Sequence, residues 1–587
     1  MDKGSTAEGR KASFLKYLLP YRRRLLTGAV CLVLRNLIGL IPPWLLKICI
    51  DSIRQDRASS LYLAGFAGLM LAAILVASVF RYGMRMTMIT ASRDMEYDLR
   101  NDLFRHLETL PASFFHKMKT GDIMARSNND LNYVRNFLGP GIMHVSGAIG
   151  VPFIAILLFV IDPKLASLCL IPIPVISVMV YLLRRSVRTR AERSQEQYSE
   201  MSAIAQENFS GVRVVKAYAS EDREVEAFED ACKEYLRRNM SLARVEGLFG
   251  PLLGLLVGTM VAIIIGVGGH GVIAERMTVG ELTAFLTYTM MMVWPTMAVG
   301  WVVNMHQSAS AALGRINEIF VAEPEIADPE EAAPVSHIEG AIEFRNVSFQ
   351  YDGNDEPVLK DISVEIPSGS TVAIVGRTGS GKSTLVHLLP RLFDPTEGVV
   401  LIDGCDIRQM PLKVLRQSIG FVPQETFLFS DTVRSNISYG VDEAPESDIV
   451  NAARVSHILE DFEQLPDGID TLLGERGVNL SGGQKQRITI GRAVMTKPRI
   501  LVLDDAMSSV DTGTEERILQ DLLHATENNT RIIISHRIST VKDADIILVL
   551  DDGRIVEKGK HAELLAQDGL YAVLYRSQLL EEEIQDE

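Results

Sequence analysis

The stretch Thr371-Val-Ala-Ile-Val375-Gly376-Arg377-Thr378-Gly379-Ser380-Gly381-Lys382-Ser383-Thr384, which runs on as an apolar helical pattern through Leu389, decides how this chain is read. A β-branched strand feeds a glycine-rich loop, and the loop opens a helix. Consecutive backbone N–H groups and a helix N-terminus then face one point, which is the geometry that holds a phosphate chain. Residues Gly376, Arg377, Thr378, Gly379, Ser380, Gly381, Lys382, Ser383 and Thr384 are therefore expected to bind a nucleoside triphosphate. Lys382 would reach the β- and γ-phosphates, and the Ser383 hydroxyl would ligate Mg²⁺.

Outward from that loop, 587 residues are too many for one compact core, so at least two domains are expected. Hydrophobic residues make up 47% of the chain, and the excess lies before about residue 310, in long apolar runs. A net charge of −15 argues against a nucleic-acid surface, since phosphate backbones are bound by clustered cations. The five cysteines show no paired spacing, so neither a disulfide framework nor a zinc site is expected. Residues 1–13 are polar and basic without an apolar core, and no cleavable signal peptide is expected there.

Six runs are long enough to cross a bilayer, at about 20 apolar residues per crossing: 25–50, 61–80, 137–161, 165–183, 248–267 and 279–303. Short loops separate the first and second, third and fourth, and fifth and sixth. The other two connections are long, helical and basic, with Arg184, Arg185, Arg188, Arg190 and Arg193 in one of them. Together with Arg22, Arg23 and Arg24, this places the long segments and both termini in the cytoplasm by the positive-inside rule. Two turn-rich knuckles, Leu110–Asp122 and Ser210–Tyr218, carry apolar residues suited to docking on another domain.

An acidic, proline-rich stretch around Glu323–Pro334 marks a linker. The organisation expected is a transmembrane domain over 1–322, a linker over 323–337 and an α/β nucleotide-binding domain over 338–587. Strand-like runs in the last part fall at 342–349, 371–375, 398–402, 500–503, 531–534 and 545–550.

Around the glycine loop lie Tyr351, Val422-Pro-Gln424-Glu, Gly474-Glu-Arg-Gly477, Leu480-Ser481-Gly482-Gly483-Gln484, Leu503-Asp504-Asp505, Ser509-Val-Asp511 and Ser535-His536. With these motifs in this order, the chain resembles a half-transporter of the ATP-binding cassette (ABC) exporter family over nearly its whole length. The resemblance implies a six-span helical domain followed by a P-loop cassette, with ATP and Mg²⁺ as ligands. It implies adenine stacking on Tyr351, although a lone tyrosine at a strand end also suits a core position. Asp504, which ends an apolar strand, would hold Mg²⁺ through water. Gln424 would sense the γ-phosphate and Mg²⁺, and His536 would contact the γ-phosphate and the attacking water. Ser481, Gly482, Gly483 and Gln484 would close over the nucleotide of a second subunit, and Asp511 would bridge the two sites.

One position departs from the family pattern. The residue after the magnesium aspartate is usually glutamate, and here it is Asp505. One methylene fewer moves the carboxylate back by about 1.5 Å, and a displacement of about 1 Å can cost on the order of a hundredfold in rate. A weak carboxylate beside an intact signature resembles one subunit of heterodimeric exporters. A different half-transporter is therefore the expected partner, and a slow homodimer or an ATP-gated conductor is the alternative. Polar or bulky residues in the spans (Arg35, Trp44, Arg81, His144, Trp294, Asn304) are the pore candidates. The expected cargo is hydrophobic or amphipathic, such as a drug or lipid, and the expected location is the plasma (bacterial inner) membrane.

Overall fold

The computed structural model describes residues 11–56, 59–329, 331–335, 337–354, 356–463, 466–510 and 512–586. The chain forms two compact units, one made of residues 1–108 and 120–322, the other of 109–119 and 323–587.

The first unit is helical. Its main helices are α1 (Arg22–Gly39), α2 (Ile41–Arg54), α3 (Ser60–Leu107), α4 (Ile142–Ile161), α5 (Pro172–Ser210), α6 (Glu221–Ile263) and α7 (Val279–Val321). Pro42 and Pro43 stand in the first turn of α2, where missing N–H groups cost nothing, so the run from α1 bends at Leu40 instead of breaking. The Tyr288 hydroxyl of α7 donates to the Leu40 carbonyl at that bend, 2.6 Å away. Asp51 of α2 accepts from Thr278 Oγ1 at 2.9 Å and from the Gly280 N–H at 3.0 Å, tying the end of α2 to the start of α7. Thr278 and Glu281 cap α7 reciprocally, and Glu281 also pairs with Lys47 at 3.0 Å.

At 48 residues α3 is about 70 Å long, more than twice the hydrocarbon thickness. The long connecting segments are thus extensions of the membrane helices. Among the described residues, five helical stretches are long and apolar enough to cross: Phe14–Arg54, Ser60–Leu107, Thr120–Ile161, Glu221–Ile273 and Val279–Val321. The expected crossing at 165–183 is not one of these five. There the chain runs as Pro163–Leu170, capped by Asp162, and then α5, with Ile171 between them in helical conformation at φ −60° and ψ −43°.

The second unit is α/β. Among the described residues its strands are β1 (Ile342–Phe349), β2 (Leu359–Ile366), β3 (Thr371–Gly376), β4 (Glu397–Ile402), β5 (Cys405–Asp406), β6 (Ile419–Val422), β7 (Ile500–Asp504), β8 (Thr530–Ile534), β9 (Ile546–Asp551) and β10 (Arg554–Gly559). They form an antiparallel sheet in the order β2-β1-β4-β5 and a larger sheet in the order β10-β9-β3-β8-β7-β6. In the larger sheet only β10 runs antiparallel. β3 and β7 carry continuous apolar runs because both faces are covered, and Val372, Ile374, Ile500 and Val502 are all buried in the core shared with the antiparallel sheet. Each such side chain contributes about 1.5–3 kcal/mol of burial.

Residues 120–122 of the first knuckle belong to the first unit, and 110–119 to this second one. Ala112 packs against its core, the His116 ring lies 6.1 Å from Phe393, and Lys117 pairs with Asp352 at 2.7 Å. In the other knuckle, Val214 and Tyr218 are exposed, as is Phe209 just before it.

Candidate functional site

Parallel pairing sets the site. In register, Ile374 of β3 faces Ile534 of β8, and Ile534 faces Asp504 of β7, so the carboxyl ends of these strands finish at one edge. The glycine loop leaves β3 there, Gln424 follows β6, Asp504 ends β7 with Asp505 directly after it, and Ser535-His536 follow β8. Residues far apart in sequence meet because each comes directly after a strand of one sheet. This is the edge at which open α/β sheets bind ligands.

The loop has the backbone its glycines require. Gly379 and Gly381 sit at φ +84° and +97°, in the left-handed region that side chains disfavour. At Gly376 a Cβ would stand 2.1 Å from the Leu550 carbonyl oxygen, so only glycine fits. The loop opens α8 (Lys382–His387), which is two residues shorter than the apolar run suggested. Lys382 Nζ donates to the carbonyls of Gly376 and Arg377, both at 2.9 Å, across the mouth of the loop. Burial lowers its pKa, partly opposed by Asp504 and Asp505. Ser383 Oγ donates to Asp504 Oδ1 at 2.9 Å. The Asp504 side chain is 2% exposed, and burial raises its pKa against the Ser383 hydrogen bond. Asp505 pushes in the same direction, while Lys382 and His536 oppose it.

Two observations test the fit of a nucleotide and its metal. The Ser380 Oγ is buried without a hydrogen-bond partner, which is costly unless an acceptor or donor arrives. Ser383 and Asp504 together offer a hydroxyl and a carboxylate, the hard oxygen set that Mg²⁺ takes beside phosphates. The residues fit both groups.

Tyr351 follows β1, and its hydroxyl lies 3.2 Å from Thr384 Oγ1. Its ring makes edge contacts with Phe349 and Phe393, at 4.8 and 5.4 Å between centroids. Both gestures of that position are visible: a ring packed at the strand end, and a direct tie to the loop. Gln424 and His536 are exposed. Asp511 lies outside the described residues.

The signature lies on α9 (Gly482–Met495). Ser481 and Gln484 cap it reciprocally, at 3.0 and 3.3 Å. The Gln484 amide also donates to Asp461 at 2.9 Å, so its side chain is already engaged. Among the described residues, no hydrogen bond joins Ser481–Gln484 to Gly376–Thr384.

Two residues of this region escape a motif reading. His387 Nε2 stands 4.0 Å from Asp504 Oδ2, and burial lowers its pKa. It is four residues after Ser383, on the same face of the helix, and that spacing is the signal that could have found it. Gln486 donates to Ser508 Oγ at 3.0 Å and accepts from the Ser509 N–H at 2.9 Å, tying the signature helix to the turn after Asp505.

Residues 25–296 match the family described as ABC transporter transmembrane region, and 359–508 the family described as ABC transporter. The chain is 37% identical over 572 residues to the probable multidrug resistance ABC transporter ATP-binding/permease protein YheI of Bacillus subtilis (strain 168), covering 97% of this chain and 96% of that protein. This chain belongs to the ABC transporter family. The ABC transporter is also 35% identical to an ATP-dependent lipid A-core flippase of Desulfotalea psychrophila, covering 96% of this chain and 98% of the relative. Among solved structures it resembles a bacterial Atm1-family ABC exporter with ATP bound, at a TM-score of 0.79 and 29% identity over 95% of this chain and 98% of that one. It is therefore an ABC exporter half-transporter: a multi-pass membrane protein that binds ATP and couples its hydrolysis to transport.

Proposed function

We propose that this protein is the weakly hydrolysing half of a two-chain exporter that moves a hydrophobic or amphipathic substrate out of the cell by alternating access. The observation that carries the reading is the backbone of Asp505. It is held at φ +47°, its N–H donates to the Ile534 carbonyl at 3.0 Å, and its own carbonyl accepts from Ser508 Oγ at 3.1 Å. A backbone bonded on both sides cannot move forward to recover the reach a glutamate would have. The shortfall of about 1.5 Å then falls on the reaction itself, at about a hundredfold per ångström.

In this reading Gly376–Thr384 holds the triphosphate, Ser383 and Asp504 hold Mg²⁺, and Tyr351 meets the adenine. Gln424 and His536 approach the γ-phosphate and the water. When bound, the metal neutralises charge on the phosphates; the chain's own residues position them. Ser481, Gly482, Gly483 and Gln484 complete the site of the second half-transporter, with Asp511 at the junction. The exposed Phe209, Val214 and Tyr218 offer apolar surface to that partner.

The membrane part, 1–322, makes six crossings, the fourth built from the split pair Pro163–Leu170 and α5. The linker is 323–337, and the cassette, 338–587, lies in the cytoplasm with both termini, on the inner face of a bacterial plasma membrane. The named relatives include a multidrug resistance transporter and a lipid A-core flippase, which supports an apolar or amphipathic cargo.

The experiment compares ATPase rates of this chain alone and with the chain that co-purifies from its source. The expected result is slow turnover alone and fast turnover in the pair, with dye accumulating against its gradient in vesicles. Vigorous hydrolysis by the lone chain, lost in Asp505→Asn, would favour the homodimer instead.

A further inference from the structure

Helices α1, α3, α4 and α7 enclose a cavity of about 410 Å³ inside the membrane unit. Its polar wall is Arg35 of α1 with Arg81 and Arg85 of α3, the last two one turn apart, and His144 of α4 joins them. Its apolar wall includes Met291 and Trp294 of α7. Among the described residues, no carboxylate lines it.

Other cations of the same unit have carboxylate partners: Lys47 pairs with Glu281 at 3.0 Å, and the buried Glu96 takes Arg93, Arg100 and Arg135. Among the described residues, Arg35, Arg81 and Arg85 form no salt bridge, and Arg81 and Arg85 are exposed towards open space. Arginines that share one cavity without counter-charges offer their planar forks to an anionic group.

Depth adds a second argument. Arg81 lies about 30 Å along α3 from Ser60, and Arg35 about as far back along α1 and α2 from Arg54, at 1.5 Å per residue. Both are thus about one hydrocarbon thickness from the turn joining α2 to α3. The guanidinium groups stand where lipid headgroups meet hydrocarbon, at the cytoplasmic side in the orientation given above.

We propose that this cavity binds anionic amphipaths, molecules with a phosphate, sulfate or carboxylate head on an apolar tail. Arg35 and Arg81 fork onto the head, as planar guanidinium groups do with such anions, and the tail lies along Met291 and Trp294. Three uncompensated cations repel cationic hydrophobic drugs. The inference rests on the exporter reading and narrows its cargo.

The test is binding by the full-length protein in nanodiscs of phosphatidylcholine, read by its tryptophans. There are three, of which Trp294 lines the cavity and Trp301 packs on His144 at 4.6 Å. Brominated-chain phosphatidic acid should quench them at a concentration about tenfold or more below brominated-chain phosphatidylcholine, the size of one charge-assisted hydrogen bond. Arg35→Ala with Arg81→Ala should abolish that preference, and the double lysine variant should restore part of it. Should the double alanine variant fail to fold, Arg81→Ala alone, at an exposed position, carries the test with a loss of the preference by several-fold expected, about one charge-assisted hydrogen bond. Equal quenching by the two lipids, or stronger binding of dodecyltrimethylammonium, would overturn the proposal. Displacement of the lipid by inorganic phosphate at equal concentration would assign the site to small anions and overturn the amphipath. Binding needs no turnover, so an anion-selective chain that cannot pump would refute the exporter reading alone. A pump that accumulates cationic dye without preferring anions would refute this inference alone.

Discussion

Replacing Ser380 by alanine separates what the loop does empty from what it does loaded. Ser380 is 4% exposed and its Oγ has no partner, a situation that costs about 1–3 kcal/mol. Ser380→Ala removes that cost, so the nucleotide-free protein should be stabilised. For a domain of 150–250 residues this is a rise in unfolding midpoint of about 2–4 °C per kcal/mol. The same change removes a donor to a phosphate oxygen. Hydrogen bonds to charged groups are worth about 1.5–3 kcal/mol, so ATP affinity should fall about 10- to 150-fold. The two effects have opposite signs, which a general loss of fold cannot mimic. The assay pairs a thermal scan of the detergent-solubilised protein with titration of a fluorescent ATP analogue. An unchanged or lower nucleotide-free midpoint, or wild-type affinity, would refute the view that the loop stores an unmet hydrogen bond for the nucleotide.

Asp505→Glu should raise ATP turnover, by up to about a hundredfold if reach is the defect, whereas Asp505→Asn should change turnover of the paired exporter little; both are read by phosphate release. Ser481→Arg should stop turnover of the pair while this chain still binds ATP, and full activity there would remove the shared-site reading. Gly381→Ala forces a side chain to φ +97° with its Cβ 2.9 Å from Leu359, at a strain of about 1–2 kcal/mol; ATP binding should fall more than about tenfold with helix content unchanged by circular dichroism. Asp51→Ala strips partners from Thr278 and the Gly280 N–H, and should lower the thermal midpoint of the membrane unit at a cost of about 1–3 kcal/mol. Chelation of Mg²⁺ should abolish hydrolysis yet leave ATP binding measurable with the same analogue.

The glycine loop and the aspartates were legible in the sequence because their chemistry is local: a buried parallel strand, then a turn that only glycine can make. β2 was not. Its residues Ile362, Val364 and Ile366 alternate as a strand should, but Asp361 at φ +57° sits in a bulge that puts Leu359 out of phase. The four-residue β6 is too short to show a period. His387 and Gln486 owe their places to what stands opposite them, Asp504 and Ser508, and no motif on their own segments records that. The division between Pro163–Leu170 and α5 leaves no mark in the apolar run, because Ile171 keeps helical angles and only the N–H that Pro172 lacks separates the two.

The membership of 109–119 in the nucleotide unit has a consequence for synthesis on the ribosome. Lys117 meets Asp352, 235 residues later, and translation at about 5–20 residues per second imposes a delay of about 10–50 s between the two. Throughout that interval the nascent chain carries Phe114 and Phe115 on a knuckle whose lasting neighbours do not yet exist. Newly made chains therefore pass through a stage in which a chaperone can bind that knuckle. A ribosome stalled before the cassette is complete should leave 109–119 the most protease-sensitive part of the emerged helices.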